Sequence, residues 1–230
     1  MKLSVVVPCY NEEENIPLIL ERFGKLIKRD DVEVIMVNNG STDGSSRVLE
    51  ELLPAYPFAK MTYVPVNQGY GYGILQGLRE CTGEYIGWTH ADMQTDPKDI
   101  LKALHIIEKN KEPVFVKGNR KGRPLFDAFF TVGMSFFETC YLQKPLYDIN
   151  AQPNLFPRSF YESWEAPPFD FSLDLYALYM ARQKGLKVIR FPVLFPERIH
   201  GESKWNTGMG AKWKFIKRTI DFSVKLKRSL

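Results

Sequence analysis

Glu84-Tyr85-Ile86-Gly87-Trp88-Thr89-His90-Ala91-Asp92-Met93-Gln94-Thr95-Asp96-Pro97 decides how the rest of this chain is read. An apolar run from Tyr85 to Trp88 climbs to a polar cluster of His90, Asp92, Gln94 and Asp96. Pro97 then fits the first turn of a helix, where its missing N–H costs nothing. The pattern is that of a buried strand presenting His90, Asp92 and Gln94 at the C-terminal edge of a sheet. Open parallel sheets bind their ligands at that edge, and alternate residues on an extended tip point the same way. Asp92 offers a hard oxygen ligand for Mg²⁺ or Mn²⁺, and Gln94 can add a carbonyl oxygen. Such ions share their shell readily with a diphosphate. The competing reading is a polar loop that only caps the helix over 98–110.

Outward from this stretch the chain alternates. Residues 3–7 form a β-branched run ended by Pro8, and 33–37, 61–65 and 114–117 are further apolar strands. Between them lie helical patterns: 12–28 with Ile16, Leu20 and Phe23 in register and Asn11 as its cap, a second through about 53, and a third from the glycine-rich Asn67–Gly73 stretch to about 83. Asn38-Asn39-Gly40-Ser41-Thr42-Asp43-Gly44 is a turn whose Asn and Gly tolerate positive φ. Strands alternating with helices over 3–117 predict right-handed βαβ units and a mostly parallel sheet with helices on both faces, an α/β fold.

The second half is less regular. Residues 125–141 carry Phe126, Phe129, Phe130, Phe136 and Phe137 with few charges. They are read as a core helix or the lining of a substrate channel, with an amphipathic segment on a membrane surface as the alternative. Residues 148–157 read as extended, 171–184 as a helix and 187–196 as one or two strands. A basic helix over 208–230 places Trp213, Ile216, Ile220 and Val224 along one stripe.

At 230 residues and 44% hydrophobic content, the chain suits one domain with an ordinary core and a small appendage. Cys9, Cys81 and Cys140 make neither a disulfide framework nor a zinc motif, which points to a reducing compartment. The sequence runs straight into a strand without a signal peptide, and no run of about 18 apolar residues exists to span a membrane. The net charge of +4 is uneven: from His200 onward eight Lys and Arg face only Glu202 and Asp221. That basic end suits a phosphate-rich or anionic membrane partner, or forms a solvated helix face; nothing points to nucleic acid.

Gly69, Gly71 and Gly73 lack the final spacing of a dinucleotide fingerprint and follow the third strand, not the first. No P-loop and no Gly-x-Ser-x-Gly elbow occurs. His90, His105 and His200 are scattered, and His105 falls mid-helix as a structural residue. More informative are three polar clusters at strand ends: Pro8-Cys9-Tyr10-Asn11-Glu12, Asn38-Asn39-Gly40-Ser41 and His90-Ala91-Asp92. A parallel sheet brings them to one edge. There Tyr10 can stack on a base, Glu12 and Asn39 can bond a base or ribose, and Asp92 with a metal can hold phosphates. The loop Glu197-Arg198-Ile199-His200-Gly201-Glu202-Ser203-Lys204 adds a planar fork and a point charge suited to a diphosphate.

In this order the motifs resemble those of family-2 glycosyltransferases of the GT-A fold, specifically the dolichyl-phosphate mannose synthase branch, nearly end to end. Pro8-Cys9-Tyr10-Asn11-Glu12 resembles its Pro-x-Tyr-Asn-Glu, and 38–44 its Asp-Asp-Gly-Ser-x-Asp-Gly. Asn67-Gln68-Gly69-Tyr70-Gly71 resembles its Gly-rich loop, His90-Ala91-Asp92-Met93-Gln94 its Asp-Ala-Asp-Leu-Gln, and Gly118-Asn119-Arg120 its Gly-Thr-Arg. The stretch 198–204 resembles its Arg-Val-Tyr-Gly-Glu-Ser-Lys. Two departures stand out: His90 replaces the first Asp of the metal motif, removing a negative charge, and Asn38-Asn39 replaces Asp-Asp. Asn39 keeps an acceptor oxygen but can also flip to donate, which leaves the base open.

The resemblance implies that Pro8, Tyr10, Glu12, Val37 and Asn39 line the nucleoside pocket. It implies that His90, Ala91 and Asp92 meet the sugar nucleotide, with Asp92, Gln94 and His90 on Mg²⁺ or Mn²⁺, and that Arg198 and Lys204 clamp the diphosphate. Arg120 and Arg123 would face the acceptor. The implied reaction is inverting transfer of a hexose from a nucleotide sugar to a polyprenyl phosphate. That acceptor's oxygen is already anionic near neutral pH, so it needs no general base; a glycan hydroxyl does, and Asp174 is then the candidate, ahead of Asp148. Catalytic weight thus falls on Asp92, Arg120 and Asp174. The alternatives are transfer to a glycan hydroxyl in surface-polysaccharide assembly, a nucleotidyltransferase, and a non-catalytic nucleotide-binding subunit. The expected organisation is a GT-A domain over 1–207 and the basic helix over 208–230, the whole cytoplasmic and peripheral to the inner face of a membrane.

Overall fold

The computed structural model of the chain describes residues 1–122, 125–196, 200 and 209–228. One seven-stranded sheet runs through it in the order β3 (Ala59–Val64), β2 (Val32–Asn39), β1 (Leu3–Cys9), β4 (Tyr85–Trp88), β6 (Asn154–Pro157), β5 (Val114–Lys121), β7 (Lys187–Leu194). Every strand runs parallel to β1 except β6, which lies antiparallel between β4 and β5. The expected α/β architecture is therefore present, and β4 spans the residues read from the opening stretch.

The inner strands β1, β2 and β4 are buried on both faces, which is why they read as unbroken apolar runs, while the edge strands β3 and β7 are partly exposed. Leu3, Val5, Val7 and Cys9 face one layer, against Ile16, Leu20 and Phe23 of α1 (Asn15–Leu26) and Ile100, Ala103, Leu104 and Ile107 of α4 (Lys98–Lys109). This layer also takes Val48 and Leu49 of α2 (Ser45–Leu52). Val6, Ile35 and Val37 face the other layer, against Ile74 and Leu78 of α3 (Tyr70–Arg79) and Leu173–Ala181 of α7 (Leu173–Gln183). A Cβ on Gly77 would stand 2.4 Å from Val6 Cγ1, so glycine lets α3 lie hard against the sheet.

Three expectations are corrected. Asn11 does not cap α1, which starts at Asn15; at φ 57° it instead exchanges hydrogen bonds with Thr42, tying the loop after β1 to the loop after β2. The phenylalanine-rich helix α5 (Leu125–Leu142) does not bury Phe129 and Phe136 in the core: they are 74% and 72% exposed, while Ser135 and Glu138 are buried. Its polar side faces inward because that side meets Asp148 and α8 (Met209–Arg228), the helix expected at the basic end. On α8 the buried residues among the described side chains are Thr219, Ser223 and Leu226, and Trp213 is 68% exposed, so the buried stripe is rotated from the one through Trp213, Ile216, Ile220 and Val224. Ser223 Oγ donates to Glu138 (2.6 Å), and Lys227 Nζ lies 4.4 Å from the Tyr141 ring, docking α8 onto α5. The short α6 (Arg158–Glu162) follows β6.

Candidate active site

β1 is paired with β2 on one side and β4 on the other, so the chain leaves it in opposite directions and a crevice opens at its C-terminal end. Pairing with β4 continues past the strand, Thr89 N–H donating to Val6 O (3.0 Å). The loop carrying His90 and Asp92 thus starts beside the end of β1, where Tyr10 follows. The two readings of this loop divide between its residues. Asp96 is structural: it takes a bidentate pair from Arg22 (3.0 and 2.9 Å) and the Lys98 N–H (2.9 Å). Asp92 is buried, with Oδ1 accepting the Gln94 N–H (3.1 Å), and Gln94 Nε2 donates to Pro196 O (3.0 Å).

From this point the side chains form an arc. Asn39 Nδ2 donates to Gly69 O (3.1 Å), and a Cβ on Gly73 would stand 2.7 Å from Asn39 Cγ, so the start of α3 closes over it. With its amide nitrogen committed, Asn39 presents Oδ1 as an acceptor that is buried and unpaired among the described residues. Gly69, at φ 120°, turns the chain into α3 and places Tyr70 next. The Tyr70 ring stacks on Phe171 (4.6 Å) and lies 6.4 Å from His90. His90 is 6.5 Å from Phe195, and the Arg120 guanidinium lies 5.3 Å from the same ring. Asn39, Tyr70, His90, Phe195 and Arg120 therefore line one continuous rim.

Behind the rim is a buried polar network. Asp174 accepts from Gln152 Nε2 (2.9 Å) and Asn154 Nδ2 (2.8 Å); Gln152 also donates to Tyr70 Oη (3.0 Å). Lys117 Nζ donates to Ala151 O (2.7 Å) and Asn154 Oδ1 (2.5 Å). Burial pushes the Asp174 carboxyl up and the Lys117 ammonium down, and each is held back by the other's charge. Burial, reinforced by Asp174, keeps the Tyr70 phenol protonated. Further along, Arg120 binds Asp148 through its backbone N–H and its guanidinium (both 2.8 Å). Burial alone would raise the Asp148 carboxyl, but the Arg120 guanidinium outweighs it and holds Asp148 below the usual carboxylate range.

Tyr10, Asn39, His90, Asp92 and Arg120 thus take positions around the C-terminal rim. Pro8 and Glu12 follow on the same edge, Glu12 accepting from Asn15 Nδ2 (2.6 Å) beside a cavity of about 480 Å³ that Asn11, Glu12, Asn15 and His200 help to line. Val37 and Ala91 differ: their side chains are buried in the core. Arg123, Arg198 and Lys204 lie outside the described residues. Tyr70, Lys117, Gln152, Asn154 and Phe195 were not singled out from sequence. Lys117 ending an apolar strand, and two amides at alternate positions in 152–154, were the available signals.

Asp92 is the one carboxylate of the expected metal set, joined by an imidazole and an amide, and no three His, Cys, Asp or Glu among the described residues form a metal cluster. That donor set fits an ion that draws the rest of its shell from a diphosphate. The imidazole makes it better suited to Mn²⁺ than to Mg²⁺.

Among solved structures, the chain resembles the glucosyl-3-phosphoglycerate synthase of Mycobacterium tuberculosis in complex with Mn²⁺, UDP and glucosyl-3-phosphoglycerate. The TM-score is 0.72 at 18% identity, covering 97% of this chain and 78% of that one. It also resembles a mannosyltransferase of Pyrobaculum calidifontis in complex with GDP-Man and Mn²⁺ (TM-score 0.67, 20% identity, 94% and 60% covered). These likenesses establish the fold as that of GT-A glycosyltransferases. In sequence it is 26% identical over 212 residues to a dolichol-phosphate mannosyltransferase of Pyrococcus furiosus, covering 89% of this chain and 59% of that protein. It is 35% identical over 130 residues to an undecaprenyl-phosphate 4-deoxy-4-formamido-L-arabinose transferase of Pseudomonas fluorescens, covering 54% and 37%. The chain spans less than two thirds of the length of these curated relatives. Residues 4–163, from the first strand through the rim loops to β6, match the model of glycosyl transferase family 2, and the chain belongs to that family.

Proposed function

We propose that this chain is an inverting glycosyltransferase that moves a hexose from a nucleoside-diphosphate sugar to a polyprenyl phosphate. The observation that carries this reading is the continuous rim, in which His90, beside the expected donor residues, and Arg120, expected to meet the acceptor, both lie against the ring of Phe195. The names of its relatives, a dolichol-phosphate and an undecaprenyl-phosphate transferase, support the acceptor class.

On this reading Tyr10, Glu12 and Asn39 receive the nucleoside. Asn39 Oδ1, its nitrogen held by Gly69 O, reads a ring N–H, which favours uracil or guanine over adenine and cytosine. A divalent ion at Asp92, with Gln94 and His90, would neutralise the departing diphosphate; Arg198 and Lys204 would clamp it. A phosphate oxygen attacks the anomeric carbon opposite the leaving group, inverting the centre. Because that oxygen is already anionic, the step needs no general base. Asp174 is then a positioning residue: its carboxylate is committed to Gln152 and Asn154, which favours the phosphate acceptor over a glycan hydroxyl. Residues 1–207 act as the catalytic domain, and 208–230 hold it to the cytoplasmic face of an anionic membrane. Exposed Trp213 with Lys225 and Arg228 supports this, at about 1 kcal/mol per basic residue near such a surface.

The test is incubation of the purified chain with candidate nucleotide sugars, Mn²⁺ and a polyprenyl phosphate. Release of nucleoside diphosphate together with a glycosylated lipid phosphate is the expected result. Transfer only to a glycan hydroxyl, abolished by Asp174→Asn with donor binding intact, would select the alternative.

A further inference from the structure

Helix α8 reaches the rim from outside as well as packing on α5. It carries Arg218, whose guanidinium lies 5.2 Å from the Phe171 ring and whose Nε is 3.4 Å from Asp170 Oδ2. Both partners belong to the loop that leads into α7, and that loop lies on the glycine turn at the start of α3. Tyr72 is the third residue of α3, so its N–H has no partner inside the helix. The loop supplies one: Tyr72 N–H donates to Phe169 O (2.9 Å), and the two rings meet edge-on at 5.2 Å. A Cβ on Gly71 would stand 2.6 Å from Pro168 O and 2.7 Å from Asp170 O, so glycine lets the two backbones touch. Beside this contact Phe171 stacks on Tyr70, the rings 4.6 Å apart and 11° from parallel.

Two rim residues depend on that turn. Gly69 O holds the Asn39 amide nitrogen, and Tyr70 lies 6.4 Å from His90 with its Oη accepting from Gln152. A chain of contacts thus runs from α8 through Arg218, the 168–171 loop and the 69–72 turn to the rim. Resting on the donor class proposed above, we infer that Arg218 is a positioning residue for the nucleotide end of the site. From α8 it clamps the loop against the turn, and so fixes Tyr70 and the orientation in which Asn39 presents Oδ1. A planar guanidinium suits the task, because it can lie over a ring and still donate to a carboxylate. The Arg218 and Asp170 side chains are each more than a third exposed, so solvent screens their pairing and the clamp is a modest one. Docking of α8 therefore tunes nucleotide affinity in addition to any part it plays in surface attachment.

The test uses the full chain, with UDP and GDP as probes in the presence of Mn²⁺ and amide hydrogen exchange of the free protein read by NMR. In Arg218→Ala the Tyr72 amide should exchange about threefold to tenfold faster than in the wild type, matching loss of one ring contact and one screened ion pair. The amides of β1 should be unchanged. Affinity for the nucleotide that the wild type binds should fall by a similar factor, and Arg218→Lys should restore part of it. In turnover the loss should lie in KM for the nucleotide sugar, whereas partial unfolding would lower kcat and spare KM. In a Phe171→Leu background Arg218→Ala should have a smaller effect, since the ring under the guanidinium is gone. If the wild type binds UDP or GDP and Arg218→Ala binds it equally well, or if Tyr72 exchange is unchanged, the inference is overturned and the donor class stands. If the wild type binds neither nucleotide, the donor reading falls and takes the inference with it.

Discussion

The two ends of the rim are built on opposite plans. At the donor end, helices α1 and α4 turn their apolar stripes onto the sheet and their charges to water, and the strand tips β1, β2 and β4 carry short polar loops. At the Arg120 end, α5 turns Ser135 and Glu138 inward and Phe129 and Phe136 outward, and β5 buries a lysine near a buried aspartate. The first plan is the ordinary one for burying a two-sided sheet. The second makes physical sense where the inward face of a helix packs on a buried polar network. The contrast shows that hydrophobicity alone does not say which way a helix faces when a polar network lies beneath it.

The comparison breaks most visibly at the buried pair. Asp174→Leu leaves Lys117 uncompensated in the core and the Gln152 and Asn154 amides without their acceptor. It should cost about 3–5 kcal/mol in denaturant unfolding, close to the cost of Phe23→Ala in the donor-side core. An Asp174→Leu variant as stable as the wild type would mean that the network does not hold the Arg120 end together.

A smaller effect concerns α8. Burial pushes the Glu138 carboxyl up to about 7 from an ordinary 4.5, only partly opposed by the Ser223 hydroxyl. Between those values the unfolded chain ionises first, so stability present at acid pH falls as pH rises through about 7. Glu138→Gln should remove that slope, on the order of 3 kcal/mol, in thermal melts across pH 4.5 to 7.5. An unchanged slope would show that the α5–α8 contact titrates elsewhere.

At the donor end, Asp92→Asn should raise the Mn²⁺ concentration needed for half-maximal stabilisation by UDP or GDP about tenfold, a difference of about 1.4 kcal/mol. A melt shift as large as the wild type's at low Mn²⁺ would remove Asp92 from the metal set. Least of all, Phe136→Gln should change folding stability by no more than about 0.5 kcal/mol, because the ring is already in water. A loss of several kcal/mol would put that phenylalanine in the core, one of the placements that the sequence left open for 125–141.

The donor end was legible because its signals are local. A strand covered on both faces must be apolar throughout, and its tip must turn polar where it leaves the sheet, so β4 and the loops at Tyr10, Asn39 and Asp92 stand out in one dimension. The network of Lys117, Gln152, Asn154 and Asp174 was not legible, because each residue is polar for reasons that appear only when strands β5 and β6 and helix α7 meet. The same holds for Arg120, whose availability depends on Asp148, and for Asn39, whose orientation depends on a carbonyl at Gly69.

Sequence by itself determined the alternation of strands and helices, the rim on which the chemistry-bearing side chains gather, and the family resemblance of the motifs on it. Periodicity and strand-end polarity are written residue by residue, so they need no partner to be read. Only the tertiary structure decided which of those side chains are spent on one another and which residues of α5 meet water. Burial and pairing are properties of contacts between distant segments, and no stretch of the chain carries them alone.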